Sequence, residues 1–325
     1  MTRRFFVFII AFLLSACTPS VRTDRAKHMP RETRMVMGTL FEITICGGTT
    51  ELFHEAFSVA EDLDRKLSNY RESSEISELN RRAFHESFKV SKDVFELIQI
   101  SKSLSERTAG SFDITVGPLI KLWDKASKEN RLPHHEEVAK VRAHIGFQHV
   151  AIDEEAQTIR FGRAGMYLDT GGIGKGFAVD KVIALLKKRG VECALVNFGQ
   201  SSMYALGSPP QERAWRLSVQ FPEDEPLGLL ELKDSALSAS ESFGRSWEIG
   251  GKRYGRLIDP LTGTPTERRR RAVVMGPSAT AAEALSKAVI LQNDLRSLDK
   301  SYDYILKDER KEFPLVTSAG TGDCR

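Results

Sequence analysis

Residues 169–180 read DTGGIGKGFAVD: an aspartate, glycines at 171, 172, 174 and 176, a lysine at 175, and the start of an apolar run. These residue types suit the capture of an anion. Glycines let a backbone come close to a ligand. The first N–H groups of a helix lack partners within it, and the helix dipole favours negative charge at that end. Lys175 adds a full positive charge in the same turn. Neither common nucleotide signature is met: GxxxxGK needs a following Ser or Thr, and Gly172, Gly174 and Gly176 are spaced GxGxG rather than GxGxxG. The competing reading is a plain strand–helix junction, which does not call for several glycines and a lysine together. Lys175 and the backbone N–H groups around it are therefore candidate anion ligands.

A second stretch, SATAAEALSKAVILQ (278–292), places Glu283 one helical turn before Lys287. Thr280-x-x-Glu283 has the form of a capping box and Glu283 with Lys287 that of an i,i+4 ion pair, neither needing a function. RRRR at 268–271 follows a turn and reads as a solvated loop, with a contact to phosphate or an acidic partner as the alternative. Cys46 and Cys193 lie in or next to β-type runs and read as small buried thiols. No disulfide framework or metal-ligand cysteine spacing is predicted.

The elements that must position these groups follow from hydrophobic periodicity. MVMGTLFEITIC (35–46) alternates as a half-buried strand, and Leu52, Ala56, Val59, Leu63 and Leu67 recur at helical spacing. Further helices are expected after Ser74 and over 91–107, PLIKLWDKA, EEVAKVRAHIG, 174–189 and 278–292. Strands are expected at HVAID, TIRF, MYLD, ALVNF and through most of 214–276. Helices dominate early and strands later, so the class is α+β rather than alternating α/β.

The chain opens MTRRFFVFIIAFLLSAC: two arginines, a short apolar run, then Ala16 and Cys17. That run is shorter than the ~20 residues a membrane helix needs but suits a signal-peptide core. Leu14-Ser15-Ala16-Cys17 is the pattern of a bacterial lipoprotein signal. Residues 1–16 read as leader, Cys17 as the lipidated residue, and residues 17–33 as a tether holding the domain on a membrane and facing the periplasm, inner or outer. Removal of the leader takes Arg3 and Arg4 and lowers the formal charge from +3 to +1. A balance so near neutral argues against nucleic acid as the main partner. The folded domain is expected over 34–308, with an irregular tail at 309–325.

MGTLFEITI, LSNYRESSEISELN, GSFDITVGPLIKLW, LDTGGIGKGFAVDK, NFGQSSMYALG and RLIDPLTGTP occur in this order. Together they resemble the ApbE family of FAD:protein FMN transferases, from about Arg34 to about Lys300. The resemblance implies two interleaved mixed α/β subdomains with FAD in the cleft between them. It implies transfer of FMN to a threonine hydroxyl of a flavoprotein, such as a membrane redox-pump subunit, with magnesium assisting and AMP leaving. By position, Met37 and Tyr70 would line the flavin or adenine site, and Ser111, Phe112 and Asp113 would contact FAD. Asp169 and Lys175 would hold the nucleotide and phosphates, and the Gly172 carbonyl would be a metal ligand.

Several positions depart from the family pattern. Arg256 stands where a histidine usually precedes IDP; it can bind a phosphate bidentately but cannot act as a base. Ala239-Ser240-Glu241 replaces a TSG-like turn, and Gln200 replaces a glycine. In the last helix the family carries Asp, then Thr four residues later, often with Asp just before it, as magnesium ligands. Here these are Glu283, Lys287 and Ser286. An ammonium at 287 offers no oxygen to a metal, which leaves an FAD binder without transfer as the alternative function.

Overall fold

The computed structural model describes residues 29–221, 228–292 and 300–308, with the backbone of three further short strands between 311 and 322. The expected leader, Cys17 and most of the tether lie outside the described residues. The tether was expected to run to residue 33, whereas the first strand already begins at Arg31.

The chain builds β1 (Arg31–Val36), β2 (Thr39–Ile45), α1 (Thr50–Leu67), α2 (Glu75–Arg82), β3 (Phe88–Lys89) and α3 (Lys92–Arg107). A 3-10 turn at Ile114–Val116 leads into α4 (Gly117–Lys128), then α5 (His135–Arg142), β4 (Val150–Asp153), β5 (Thr158–Phe161) and α6 (Gly174–Lys188). Eight strands follow: β6 (Ala194–Phe198), β7 (Ser202–Leu206), β8 (Trp215–Ser218), β9 (Leu229–Leu232), β10 (Ser235–Glu241), β11 (Ser246–Ile249), β12 (Lys252–Gly255) and β13 (Arg270–Gly276). The chain then enters α7 (Ala279–Gln292) and β14 (Asp303–Asp308), with short strands β15 (Lys311–Glu312), β16 (Leu315–Thr317) and β17 (Gly320–Gly322). These last three stand where an irregular tail was expected. They carry no alternating apolar pattern, and their order comes from pairing to β14 and to each other.

The main sheet runs β1-β2-β6-β7-β10-β13-β14-β16-β17, with β15 on β14. Its pairings are antiparallel, as the α+β reading requires. Period-two alternation splits its side chains between two cores. Ala236, Ala272, Val274, Tyr304 and Leu306 face the larger core under α1, α6 and α7. Ala205, Leu237, Val273 and Ile305 face a smaller one closed by Trp215 and Leu232 of β8 and β9. A third core joins α4, α5, β11 and β12 through Trp123, Trp247 and Tyr254. Because that core takes residues from both 119–145 and 247–258, the two subdomains interleave along the chain.

In α1 the buried stripe is Phe53, Ala56, Phe57, Ala60, Leu63 and Leu67. Leu52 and Val59, expected inside, are only partly buried at its edge. Cys46 and Cys193 are joined by a disulfide, which corrects the reading as free thiols. The register explains it. Ile45 pairs with Ala194, so the next residue on one strand faces the previous one on the other, with Cα atoms 5.4 Å apart. The arginine run is a solvated loop only at its start, where Arg268 is exposed at a bend. Arg270 and Arg271 are buried in β13, where Arg270 meets Asp308 at 2.9 Å and Arg269 meets Glu241 at 2.7 Å. Carboxylates on the two neighbouring strands supply the countercharge.

Candidate active site

The segment before the glycine loop is not the strand that MYLD suggested. Its backbone groups are taken by side chains instead. Leu168 N–H donates to Asn80 Oδ1 at 2.7 Å, and the Leu168 carbonyl accepts from Asn69 and Asn80 amides at 2.8 and 3.0 Å. Thr170 N–H donates to Asn69 Oδ1 at 2.8 Å, and Asp169 N–H to the Ile114 carbonyl at 2.7 Å. With its polar groups satisfied in this way, the segment needs no ladder. Asn69 and Asn80 set the height and angle at which the loop enters α6. Sequence reasoning missed both; their sole local mark is their place within LSNYRESSEISELN.

At the loop itself, Gly171 N–H donates to Asp169 Oδ1 at 2.8 Å, and Gly174 N–H to the Thr170 carbonyl at 2.9 Å. The helix start holds an anion, but an internal one. Gly176 N–H donates to Glu283 Oε2 at 2.6 Å, and Lys175 Nζ to Glu283 Oε1 at 2.7 Å. Thus Lys175, expected to hold a phosphate, is paired across to α7. Gly176 is required by helix packing, since a Cβ there would run into the Ala279 carbonyl. Gly172 is different: a Cβ would sit 3.5 Å from the Phe112 ring and 3.8 Å from the Lys287 stem, so Lys287 lies alongside Gly172.

The expected capping box at Thr280 does not form. Asp180 of α6 caps α7 instead, accepting from the N–H groups of Ala279 and Thr280 at 2.9 Å each and from the Ser278 hydroxyl at 2.7 Å. Glu283 is thereby freed to face α6, with only 1% of its side chain exposed. Its i,i+4 pairing with Lys287 is present, at 3.6 Å. Lys287 Nζ also donates to the Glu283 carbonyl at 2.8 Å and to Ser240 Oγ at 3.4 Å. One carboxylate thus lies between two ammoniums, leaving a surplus of one positive charge. Burial alone would raise the Glu283 pKa, but Lys175 and then Lys287 outweigh it and hold the carboxyl below its usual range. Burial pulls Lys287 down to about 8, against the opposing pull of Glu283.

These residues do not fit the magnesium ion that the resemblance implied. Such an ion wants six oxygens in near-octahedral array at about 2.0–2.1 Å. Both Glu283 oxygens already accept bonds from α6, and Ser286 Oγ is turned to Ser240 at 2.7 Å and to the Glu283 carbonyl at 2.8 Å. Lys287 supplies a charge where a ligand is needed. Two unit charges about 4 Å apart oppose each other by roughly 4 kcal/mol at an effective dielectric of ~20, and a divalent ion doubles that. Among the described residues there is no cluster of three or more His, Cys, Asp or Glu able to hold a metal.

The opposite wall belongs to the other subdomain. Arg256 Nη2 meets Asp124 Oδ1 at 3.0 Å, and its guanidinium lies over Trp247. Asp169 faces this wall. Burial raises its pKa, Gly171 N–H and the Arg256 charge lower it, and Asp124 raises it again. Lys121, stacked on Tyr167, is pulled down by burial against the attraction of Asp169. Tyr70 is 85% exposed and shares a shallow cavity with Lys121 and Tyr167. Met37 turns the β1–β2 hairpin at φ 48° and leans on the main core. Of the expected FAD contacts in the SFD segment, Ser111 and Asp113 turn inward. Ser111 Oγ donates to the Thr108 carbonyl at 3.0 Å, and Asp113 accepts from Thr115 N–H at 2.8 Å and Ser105 Oγ at 3.0 Å. Phe112 is buried beside Gly172. The structure therefore brings Gly172, Lys175, Glu283, Lys287 and Phe112 together, with Asp169 between them and Arg256. Met37 is on the hairpin tip, and Ser111 and Asp113 fasten the turn beneath.

The sequence profile of the ApbE family matches residues 37–302. FAD:protein FMN transferase of Escherichia coli K12 is 27% identical over 260 residues, covering 76% of this chain and 74% of that protein. The fold is similar to the apo crystal structure of the Pseudomonas stutzeri flavinyl transferase ApbE, with TM-score 0.74 and 26% identity over 86% of this chain and 92% of that one. It is similar also to the flavin transferase ApbE of Vibrio cholerae, with TM-score 0.75 and 25% identity over 88% and 96% of the respective chains. With the matched span reaching from the hairpin of Met37 past Lys287 of α7, this chain belongs to the ApbE family.

Proposed function

We propose that this protein is an FAD:protein FMN transferase. The observation that carries the reading is the agreement of sequence and fold with flavin transferases across both walls of the cleft. In the reaction a threonine hydroxyl oxygen of an acceptor flavoprotein attacks the FMN phosphorus of FAD. A phosphoester forms, the pyrophosphate P–O bond breaks, AMP leaves with that bridging oxygen, and the threonine proton is released. Lys175 and Lys287 lie beside Gly172 at the start of α6, and their surplus charge suits a diphosphate. Arg256, from the other subdomain, and Asp169, at the head of the glycine loop, bind and orient the nucleotide, and Tyr70 and Met37 offer it apolar surface. Arg256 acts as a fixed charge and not as a base.

Residues 1–16 act as leader, Cys17 carries the lipid, and the domain works on the periplasmic side of a membrane. The Cys46–Cys193 disulfide supports an oxidising compartment. A subunit of a membrane redox pump is the kind of acceptor that fits this location. The test is to incubate the purified protein with FAD and an acceptor domain bearing the target threonine, then read covalent flavin fluorescence on a denaturing gel. A fluorescent acceptor band is expected. FAD binding with no band under any condition would replace the transferase by a flavin-binding lipoprotein.

A further inference from the structure

The cluster beside Gly172 is the place where sequence, fold and chemistry disagree most with the family pattern. A resident divalent cation in such a site would do two things: neutralise the diphosphate and fix its orientation against the start of α6. In this chain a cation is already there. The Lys287 stem lies alongside Gly172, and its ammonium is anchored to the Glu283 carbonyl at 2.8 Å, to Ser240 Oγ at 3.4 Å, and to the Glu283 carboxylate at 3.6 Å. Lys175 holds the same carboxylate from the other side at 2.7 Å. Glu283 neutralises one of the two charges, so one remains for a ligand. Neither oxygen of Glu283 is open in the way a metal ligand must be, because each is already engaged by α6. The Lys287 side chain keeps 18% of its surface accessible, and of the three donor hydrogens of its ammonium one makes a short bond, to the Glu283 carbonyl, and one a long bond, to Ser240 Oγ.

Resting on the transferase reading above, we propose that Lys287 is a built-in substitute for the divalent cation: its tethered ammonium stands beside Gly172 and Glu283, excludes the metal, and supplies the positive charge that the FAD diphosphate requires. The substituted charge is monovalent and fixed by the fold, so it is present at any metal concentration. Ser240 and Ser286 belong to the same device. They bond each other at 2.7 Å and steady the ammonium from the β10 side, where a metal site would want open oxygens.

The experiment uses the full-length protein, stripped with EDTA. Free Mn2+ is titrated by its electron paramagnetic resonance signal in the absence of FAD, for the wild type, Lys287→Thr and Lys287→Met. FAD binding by fluorescence quenching and covalent acceptor labelling are measured in parallel. The wild type is expected to leave the Mn2+ signal undiminished through millimolar concentrations and to label the acceptor equally, within about twofold, with EDTA or with magnesium. Lys287→Thr is expected to gain Mn2+ binding by at least tenfold and to become EDTA-sensitive. Lys287→Met keeps the apolar stem without charge or ligand, and should label at least tenfold more slowly whether or not metal is present. Stoichiometric Mn2+ binding by the wild type, or labelling that EDTA abolishes and magnesium restores, would overturn the proposal. So would a Lys287→Met protein that labels like the wild type. If FAD fails to quench at all, the transferase reading falls by itself, and the Mn2+ titration still decides whether Lys287 keeps the ion out.

Discussion

Two carboxylates flank the glycine loop, and their surroundings push them in opposite directions. Asp169, before the loop, meets burial first, and the pull of Gly171 N–H, Arg256 and Lys121, partly cancelled by Asp124, does not offset it, so its pKa is raised. Glu283, against the loop's far end, is more completely enclosed, yet two ammoniums and a backbone N–H hold its pKa down. Burial is common to both, so what separates them is the distance and number of cations. Glu283 is a permanent anion that fixes two helices and two lysines in place.

The contrast is broken most severely by Glu283→Gln. It leaves Lys175 and Lys287 facing one another without their anion, and truncating one side of a buried ion pair costs about 3–5 kcal/mol. Urea unfolding should show a loss of that size and a lower yield of folded protein; a loss below about 1 kcal/mol would mean that the lysines find other partners. Reduction of the Cys46–Cys193 bond comes next, since it releases a long loop that ties β2 to β6. A cost of about 2–5 kcal/mol is expected, seen as a lower urea midpoint in dithiothreitol and absent from the Cys46→Ser variant.

A pH series sharpens the comparison. For Asp169 the folded pKa lies above 3.8, so stability from its protonated form is complete below that value and is lost as pH rises through the folded one. For Glu283 the folded pKa lies below 4.5, so its contribution is present above 4.5 and is lost as pH falls through the folded value. Asp169→Asn should therefore flatten the decline of stability with rising pH in the weakly acid range. Glu283→Gln should remove part of the acid-side loss. Asp169→Asn should also weaken FAD binding by roughly tenfold, the usual worth of a hydrogen bond to a charged group. Slopes that change in the same direction in both variants would contradict the assignment of opposite shifts. The smallest effect is expected at Gln200, which holds φ 56° where glycine is at ease. Gln200→Gly should raise stability by about 1 kcal/mol or less in urea unfolding.

How much of this was readable from the sequence depended on how far apart the partners lie. Helices α1 and α7, strands β4 to β6 and the glycine loop follow from patterns within a few residues. The clamp that positions the loop does not, because Asn69 and Asn80 reach Leu168 and Thr170 across about a hundred residues of chain. The same holds for Asp180 capping α7, which displaced a locally plausible capping box, and for the disulfide, where strand register alone brings Cys46 to Cys193. At the site, the resemblance named Gly172, Glu283 and Lys287 together and left open which role Glu283 plays. In the structure both Glu283 oxygens accept bonds from α6, from Lys175 and from Gly176, which favours the internal-anion reading.

The most direct measurement is to compare FAD with riboflavin, which shares the flavin ring and lacks the diphosphate and the adenosine beyond it, by calorimetric titration of the wild type and of Lys287→Met, whose difference isolates the charge. If the surplus charge between α6 and α7 holds the diphosphate, FAD should bind the wild type at least a hundredfold more tightly than riboflavin. That advantage should shrink by roughly tenfold in the variant, as expected for one charge-assisted hydrogen bond. Equal affinities for the two ligands, or an advantage untouched by the loss of Lys287, would contradict it.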